Sequence, residues 1–103
     1  MPRYIKVAKV NEMPAGTCRE FHANGKLIAL FNVNGQFYAT DNTCLHRGGP
    51  LGQGVLDGTT VTCPWHGWQY NVTTGETIFN EQMKVETFEV KVEGDDIIVG
   101  FND

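Results

Sequence analysis

The sequence predicts an all-β protein built as an antiparallel sandwich or barrel. Short runs rich in β-branched and aromatic residues recur along the chain, and glycine-containing turns separate them. No segment shows apolar residues at the spacing of an amphipathic helix. Many short strands at regular spacing are typical of sandwiches and barrels. The 103 residues correspond to one domain, residues 1–103.

The predicted strands alternate with turn signals in chain order. They are residues 4–10, 26–33, 36–40, 59–63, 68–72, 87–92 and 96–101. Asn34-Gly35 separates two of these runs, and this dipeptide favours a hairpin with a type I′ turn. In the run 87–92, Phe88, Val90 and Val92 fall on one face of the strand.

Three segments need separate interpretation. Residues 11–17 contain Pro14 and Gly16 and are expected to form a loop or a single turn. Cys18 alternates with polar neighbours, which predicts a strand residue pointing into the core as a small hydrophobe. Residues 42–58 carry five glycines and one proline, which predicts a long loop. Long loops in compact domains tend to be functional.

Charge and hydropathy exclude two classes of partner. The net charge is −4, from 12 acidic and 8 basic residues, and the basic residues are scattered, so we expect no nucleic acid. An acidic balance helps solubility and can steer a basic partner surface. The longest apolar run, residues 27–31, is too short to cross a membrane. The N-terminal segment lacks the apolar region of a signal peptide, so we expect a cytoplasmic protein.

Four residues form the pattern that carries chemistry. Cys44-x-His46 is followed by Cys63-x-x-His66, although the chain has only three cysteines and three histidines. An odd number of cysteines argues against a disulfide framework. Thiolate sulfur and imidazole nitrogen together suit zinc or a mixed-ligand iron–sulfur cluster. Structural zinc sites usually pair like ligands in each loop, whereas here each loop offers one Cys and one His.

This pattern, with Pro64 after the second cysteine, Gly67 after the second histidine and a glycine-rich first loop, resembles the Rieske 2Fe–2S domain. The resemblance extends over essentially the whole chain. It implies the Rieske iron–sulfur fold, with a two-loop cluster-binding subdomain at approximately residues 42–72, and one 2Fe–2S cluster as cofactor. It assigns the inner iron to Cys44 and Cys63, and the outer iron, near the surface, to His46 and His66.

The resemblance also sets expectations for the reduction potential. Two neutral imidazoles in place of two thiolates leave the oxidised site neutral, which raises the potential to roughly −150 to +300 mV against about −400 mV for plant-type ferredoxins. High-potential Rieske proteins of cytochrome bc complexes add a disulfide between the loops, but those positions correspond to Gly49 and Trp65. Their serine donor corresponds to Trp68, and their tyrosine donor to Tyr70. We therefore expect the low half of the range.

The remaining site residues surround the four expected ligands. The expected cluster surroundings are Arg47, Gly48, Gly49, Gly67, Trp68 and Tyr70. The glycines can let backbone N–H groups approach the sulfides, although turn geometry alone also explains glycine. An apolar rim for partner docking is expected from Leu45, Pro64 and Trp65, unless Trp65 packs under the second loop. No proline follows Pro64, which puts a third, proline-containing covering loop in doubt.

The resemblance implies a soluble Rieske ferredoxin, an electron-transfer component rather than a catalyst by itself. Its partners would be a flavin-dependent reductase and the terminal oxygenase of an aromatic-ring hydroxylating system, and we expect a monomer. The chain is not the oxygenase itself, since only His22 is left outside the cluster motif, where it is expected at an exposed turn. A small Rieske subunit bound to the large subunit of an assimilatory nitrite reductase is the main alternative. A zinc-stabilised binding module is a further alternative.

Overall fold

A computed structural model describes residues 2–45, 48–65 and 67–102. Within these ranges the chain forms strands and two single 3-10 turns, with no α-helix. The strands are β1 (Pro2–Lys9), β2 (Cys18–Ala23), β3 (Lys26–Val33), β4 (Gln36–Asp41), β5 (Val55–Asp57), β6 (Thr60–Thr62), β7 (Gln69–Asn71), β8 (Thr87–Glu93) and β9 (Asp96–Asn102). The predicted all-β class is confirmed.

Two antiparallel sheets make up the fold. The larger sheet has six strands in the order β1-β9-β8-β4-β3-β2, and the smaller has three in the order β5-β6-β7. In the larger sheet, β4 and β8 pair only through Ala39–Phe88 and Thr40–Thr87. One further backbone hydrogen bond, from the Asp41 N–H to the Glu86 carbonyl at 2.8 Å, continues this short pairing. The larger sheet joins its two halves over these few residues and is curled rather than flat. This is the antiparallel sandwich or barrel that the sequence predicts.

Strand β3 separates two hydrophobic cores. Ile28 and Leu30 on one face pack with Ile97, Val99 and Phe101 of β9 in the first core. Ala29 and Phe31 on the opposite face pack into the second core, and all four β3 side chains are fully buried. A strand buried on both faces needs consecutive apolar residues, which explains the run of residues 28–31.

The β3–β4 connection has the backbone that its sequence predicts. Asn34 and Gly35 have φ of 52° and 92°, so both lie in the left-handed region that a type I′ turn requires. Asn24 and Gly25 repeat this arrangement between β2 and β3, with φ of 54° and 74°. The predicted hairpin is confirmed.

The smaller sheet corrects the prediction of one long loop over residues 42–58. Its first half is irregular as expected, but Leu51–Gln53 form a 3-10 turn and Val55–Asp57 form β5. β5 pairs with β6 around a tight turn at Gly58. The glycine-rich composition concealed this short strand.

The predicted position of His22 in a turn is wrong. His22 is exposed as expected, but it lies on β2 opposite Leu27.

The connection between β7 and β8 is fixed to the smaller sheet. Isolated bridges pair Tyr70 with Thr77 and Glu76 with Lys84. Gly75, at φ 82°, is buried against the carbonyl oxygen of Val85 and accepts a hydrogen bond from the Val85 N–H. Residues 72–86 are therefore held in place, although they contain no regular strand.

Gly75→Ala tests this attachment. A Cβ at Gly75 would lie 2.3 Å from the Val85 carbonyl oxygen, whereas at Gly35, which has a similar φ, it would meet nothing within 4 Å. Both substitutions force alanine into a left-handed conformation, at about 1 kcal/mol, and only Gly75→Ala adds overpacking, at about 2 kcal/mol more. Urea unfolding followed by tryptophan fluorescence measures the difference. Equal losses in both variants would show that residues 72–86 are loosely attached.

Candidate metal centre

Cys44 and Cys63 approach each other from different loops. Cys44 follows β4 by three residues, and Cys63 directly follows β6. Their side chains are only 2% and 1% exposed, and both pack in the second core. Neither is in a disulfide. The smaller sheet and the curled larger sheet thus deliver two free thiols to one buried place.

Each cysteine is fixed by backbone hydrogen bonds within its loop. The Cys44 N–H donates to the Gly49 carbonyl at 2.9 Å, and the Cys44 carbonyl accepts from the Gly48 N–H at 2.8 Å. The Cys63 N–H donates to the Trp68 carbonyl at 2.7 Å. Both thiols therefore lie where hydrogen bonds close the base of a loop.

The electrostatic surroundings show that the two thiols interact. Burial raises the pKa of Cys63, and the adjacent Cys44 raises it further, whereas the backbone N–H of Trp65 lowers it. A buried thiol such as Cys63, whose raised pKa disfavours the thiolate in the free protein, is suited to a cation, because a bound cation stabilises the thiolate.

Tyr70 connects the second loop to the first. Its side chain is fully buried, and its hydroxyl oxygen accepts the Leu45 N–H at 2.9 Å and lies 3.2 Å from the Cys44 sulfur. Either atom could donate across this contact while Cys44 is a thiol, but a Cys44 thiolate has no proton, so only the Tyr70 hydroxyl can then donate. Burial, followed by the hydrogen bond to Cys44, raises the pKa of Tyr70 well above its ordinary value, so the hydroxyl stays protonated. It is a hydrogen-bond donor to a Cys44 thiolate.

Gly49 makes the approach of the two loops possible. A Cβ at this position would lie 2.7 Å from the Cys63 sulfur and 3.0 Å from the Cβ of Trp65. Only glycine leaves room for the first loop to pass this close to the second thiol. Gly48 and Gly67 differ from it, because they have positive φ of 75° and 74° and open space around them. Turn geometry accounts for these two glycines.

The other predicted ligands, His46 and His66, and the expected neighbour Arg47 lie outside the described residues. In residues 2–45, 48–65 and 67–102 no three Cys, His, Asp or Glu side chains are grouped to hold a metal ion. The two thiols that are described fit an iron–sulfur cluster: they are buried, mutually close, free of any disulfide and supplied with O–H and N–H donors. Soft thiolate sulfur is a preferred ligand for such clusters.

The predicted rim residues are on the surface. Leu45 is 47% exposed, Trp65 is 50% exposed, and Pro64 is exposed. Half of the Trp65 side chain is therefore open to solvent, and the other half lies beside Gly49 of the first loop. Trp68 is partly buried against the second core.

Sequence reasoning missed two further apolar residues beside the second loop. Ile78 is 55% exposed and Phe79 is 61% exposed. The Phe79 ring meets the Trp68 ring edge-on, with centroids 4.9 Å apart, and the Ile78 N–H donates to the Gln69 carbonyl. A third segment therefore adjoins the second loop, although the lack of a proline after Pro64 had put a third, covering loop in doubt. Adjacent exposed apolar residues in "TIFN" were the available signal.

The family comparison matches almost the entire chain. A family model described as the Rieske [2Fe-2S] domain matches residues 3–99.

No helix in the part of the chain that the structure describes is long and apolar enough to span a membrane.

Two relatives and one solved structure match the chain over most of its length. The chain is 36% identical over 91 residues to the ferredoxin component of naphthalene 1,2-dioxygenase/salicylate 5-hydroxylase systems of Ralstonia sp, covering 87% of this chain and 88% of the relative. It is 36% identical over 98 residues to ferredoxin CarAc of Metapseudomonas resinovorans, covering 93% and 92%. A solved complex of reduced oxygenase and oxidized ferredoxin in carbazole 1,9a-dioxygenase matches with a TM-score of 0.86 at 36% identity, covering 93% and 91%.

Gly49→Ala tests the close approach of the loops. The added Cβ must displace the Cys63 sulfur or Trp65, so we expect Cys63 to react several times faster with a thiol reagent in the cluster-free protein. A Cys18→Ser background removes the partly buried third thiol. Gly48→Ala is the control, since its Cβ would meet only Thr43 at 3.8 Å. If Gly48→Ala exposes Cys63 as much as Gly49→Ala does, the space at Gly49 has no special role.

Proposed function

The chain belongs to the Rieske [2Fe-2S] domain family, and on that premise we propose that it carries single electrons from a flavin-dependent reductase to a terminal aromatic-ring oxygenase. Of the relatives named above, one is the ferredoxin component of naphthalene 1,2-dioxygenase/salicylate 5-hydroxylase systems and the other is a ferredoxin, and both match the chain over nearly their whole length. The observation that carries the proposal is the pair of free, buried thiols at the base of two loops, with the Tyr70 hydroxyl against Cys44.

The ligand assignment is part of this proposal. Cys44 and Cys63 would hold the inner iron, and His46 and His66 would hold the outer iron at the loop tips. When bound, the 2Fe–2S cluster accepts one electron and releases it at a potential set by its ligands and hydrogen bonds. The cluster-binding subdomain would be residues 42–72, within a single domain of residues 1–103. Its basis is the smaller sheet, which connects the two cysteine loops.

The chain's own residues then have separate tasks. The second core excludes water from both thiolates, because its apolar side chains leave Cys44 and Cys63 almost without exposure. The Tyr70 O–H donates to the Cys44 sulfur, and the Trp65 N–H donates to the Cys63 sulfur. Hydrogen bonds to sulfur stabilise added negative charge. The protein thereby favours the reduced state of the bound cluster, and electron transfer itself makes or breaks no covalent bond in the chain.

Partner docking is assigned to the apolar rim of Leu45, Pro64 and Trp65. Exposed aromatic and aliphatic side chains on the two cysteine loops can exclude water from a contact with the oxygenase. The net charge of −4 suits a partner with a basic face around the entry to its own redox centre. The three free cysteines are typical of a reducing compartment, which supports a cytoplasmic location.

Metal analysis tests the cofactor. The proposal requires two irons and two labile sulfides per chain, and a signal in electron paramagnetic resonance after uptake of one electron. Colourless protein that holds a single zinc would instead indicate the zinc-stabilised module and end the carrier proposal.

Partner assays test the role. Reduced protein should be reoxidised by a terminal oxygenase with stoichiometric product formation, after reduction by a flavin reductase. Stable association with a sirohaem-containing nitrite reductase, with no transfer to oxygenases, would favour the nitrite reductase subunit.

Tyr70→Phe should lower the reduction potential. Its hydroxyl donates to Cys44 sulfur, so its loss removes stabilisation from the more negative, reduced state. A hydrogen bond worth about 1.4 kcal/mol more in the reduced state corresponds to roughly 59 mV for one electron. Redox titration measures the shift. Tyr38→Phe is the control, because Tyr38 also packs on the second core but donates its hydroxyl hydrogen to Gln36. The reduction potential of the Tyr38→Phe variant should therefore equal that of the wild type. Identical potentials for both variants would remove Tyr70 from the mechanism.

Trp65→Ala should slow electron transfer to the oxygenase by about tenfold in second-order rate constant, since interface tryptophans commonly contribute above 1 kcal/mol. The reduction potential should stay the same, because the exposed ring is not a hydrogen-bond donor to the thiols. Stopped-flow oxidation of the reduced protein measures the rate. Val92→Ala, with a similarly exposed apolar side chain on β8, should keep the wild-type rate. An equal rate for Trp65→Ala would place the docking surface elsewhere.

A further inference from the structure

Asn42 immediately precedes the first cysteine loop and is only 2% exposed. Its backbone carbonyl accepts the Leu51 N–H at 2.8 Å, and its side-chain oxygen Oδ1 accepts the Gly52 N–H at 2.7 Å. Leu51 and Gly52 are the residues at which the loop returns to the fold. One residue therefore receives hydrogen bonds from two successive N–H groups at the far end of the loop, and it closes the loop at its base.

Glu20 of β2 holds Asn42 from the other side. Its Oε2 accepts the Asn42 Nδ2 hydrogen at 2.5 Å, and its Oε1 accepts the Gln53 Nε2 hydrogen at 2.7 Å. One carboxylate thus joins the residue before the loop to the 3-10 turn after it. The clamp, defined as Glu20, Asn42 and Gln53, ties both ends of the loop to the larger sheet.

The space around the clamp is fully used. A Cβ at Gly52 would lie 2.6 Å from Glu20 Cγ, 2.9 Å from the Arg19 backbone and 2.9 Å from Asn42 Oδ1. The end of the first cysteine loop at Gly52 therefore packs directly against β2. Gly49, which passes next to the Cys63 sulfur, lies only two residues before Leu51. A shift at Leu51 or Gly52 is transmitted over this short distance to the contact between the two loops.

We propose that Glu20 and Asn42 are positioning residues for the cluster: they fix the first loop so that Cys44 and Gly49 meet Cys63 at one separation. The proposal rests on the proposed function for the identity of the bound group, and it assigns a role to two residues outside the ligand motif. Neither residue is one of the expected ligands. Loosening the clamp changes the hydrogen bonding around the thiolates, and with it the potential and the cluster's retention.

A donor–acceptor exchange tests the clamp. Asn42→Asp keeps the Oδ1 acceptor for Gly52 but presents a second oxygen, instead of the Nδ2 donor, to the Glu20 carboxylate. The double variant Asn42→Asp/Glu20→Gln restores a donor facing an acceptor, because the new amide can donate to position 42 and still accept from Gln53. We expect the single variant to be impaired and the double variant to recover.

Asn32 supplies a matched control. It is also buried, its Nδ2 donates to the Met13 carbonyl, and its Oδ1 accepts the Gly35 N–H. Asn32→Asp therefore makes the same chemical change at the β3–β4 hairpin. It should destabilise the chain without altering the reduction potential or the paramagnetic spectrum of the reduced protein.

Two readouts apply to the full-length chain. Hydrogen–deuterium exchange of the segment 43–53, followed by mass spectrometry with and without iron and sulfide, should be about tenfold faster in Asn42→Asp and near wild type in the double variant. Cluster loss during incubation with a chelator should follow the same order, and the potential should shift only in Asn42→Asp. If Asn42→Asp does not fold, Glu20→Gln alone provides the milder perturbation.

The outcomes separate this proposal from the proposed function. Wild-type exchange in Asn42→Asp, no recovery in the double variant, or an equal shift of potential in Asn32→Asp would each overturn the positioning role. A wild-type chain that takes up no iron and sulfide would end the carrier proposal, while the exchange comparison would still decide whether the clamp holds the loop.

Discussion

The double burial of β3 is the constraint on which the rest of the structure depends. Side chains that alternate along β3 fill the two cores, so both cores depend on the position of this one strand. The first core holds the larger sheet together, and the second is the surface against which the smaller sheet packs. Cys44 and Cys63 are members of that second core, alongside Phe31 and Leu51. The fold's hydrophobic free energy therefore also brings the two thiols into one core, and the hydrogen bonds of the two loops then set how they are placed within it.

The site divides into an inner and an outer part for physical reasons. Thiolates in an apolar core are costly unless cations and hydrogen-bond donors compensate them, and Tyr70 and the Trp65 N–H are positioned as such donors. The loop tips beyond the thiols carry exposed apolar side chains instead. This division suits a redox centre whose charge changes by one unit: the interior part limits reorganisation, and the outer part brings the centre close to a partner.

Local signals predicted most of the fold, and long-range contacts account for what they missed. Alternating β-branched residues and Asn-Gly turns specify strands and hairpins within a few residues, so those predictions are confirmed. The spacing of the Cys and His residues identified the family because this motif is a local pattern in the sequence. The clamp between Glu20 and Asn42 joins residues 22 apart, and no local pattern reports it. Phe79 against Trp68 was missed for the same reason. Strand β5 was missed because its three residues owe their conformation to pairing with β6 rather than to propensity.

The exposed apolar side chains around the loops create a conflict that the chain's charge resolves. Leu45, Trp65, Ile78 and Phe79 are each about half exposed or more, and adjoining exposed apolar residues favour self-association. A net charge of −4 on 103 residues opposes contacts between copies, while it still permits a basic partner to approach. An electron carrier must release one partner before it meets the next, so a docking surface that bound tightly would slow turnover. A modest apolar area therefore keeps encounters with a partner short-lived, while like-charge repulsion keeps copies of the carrier apart.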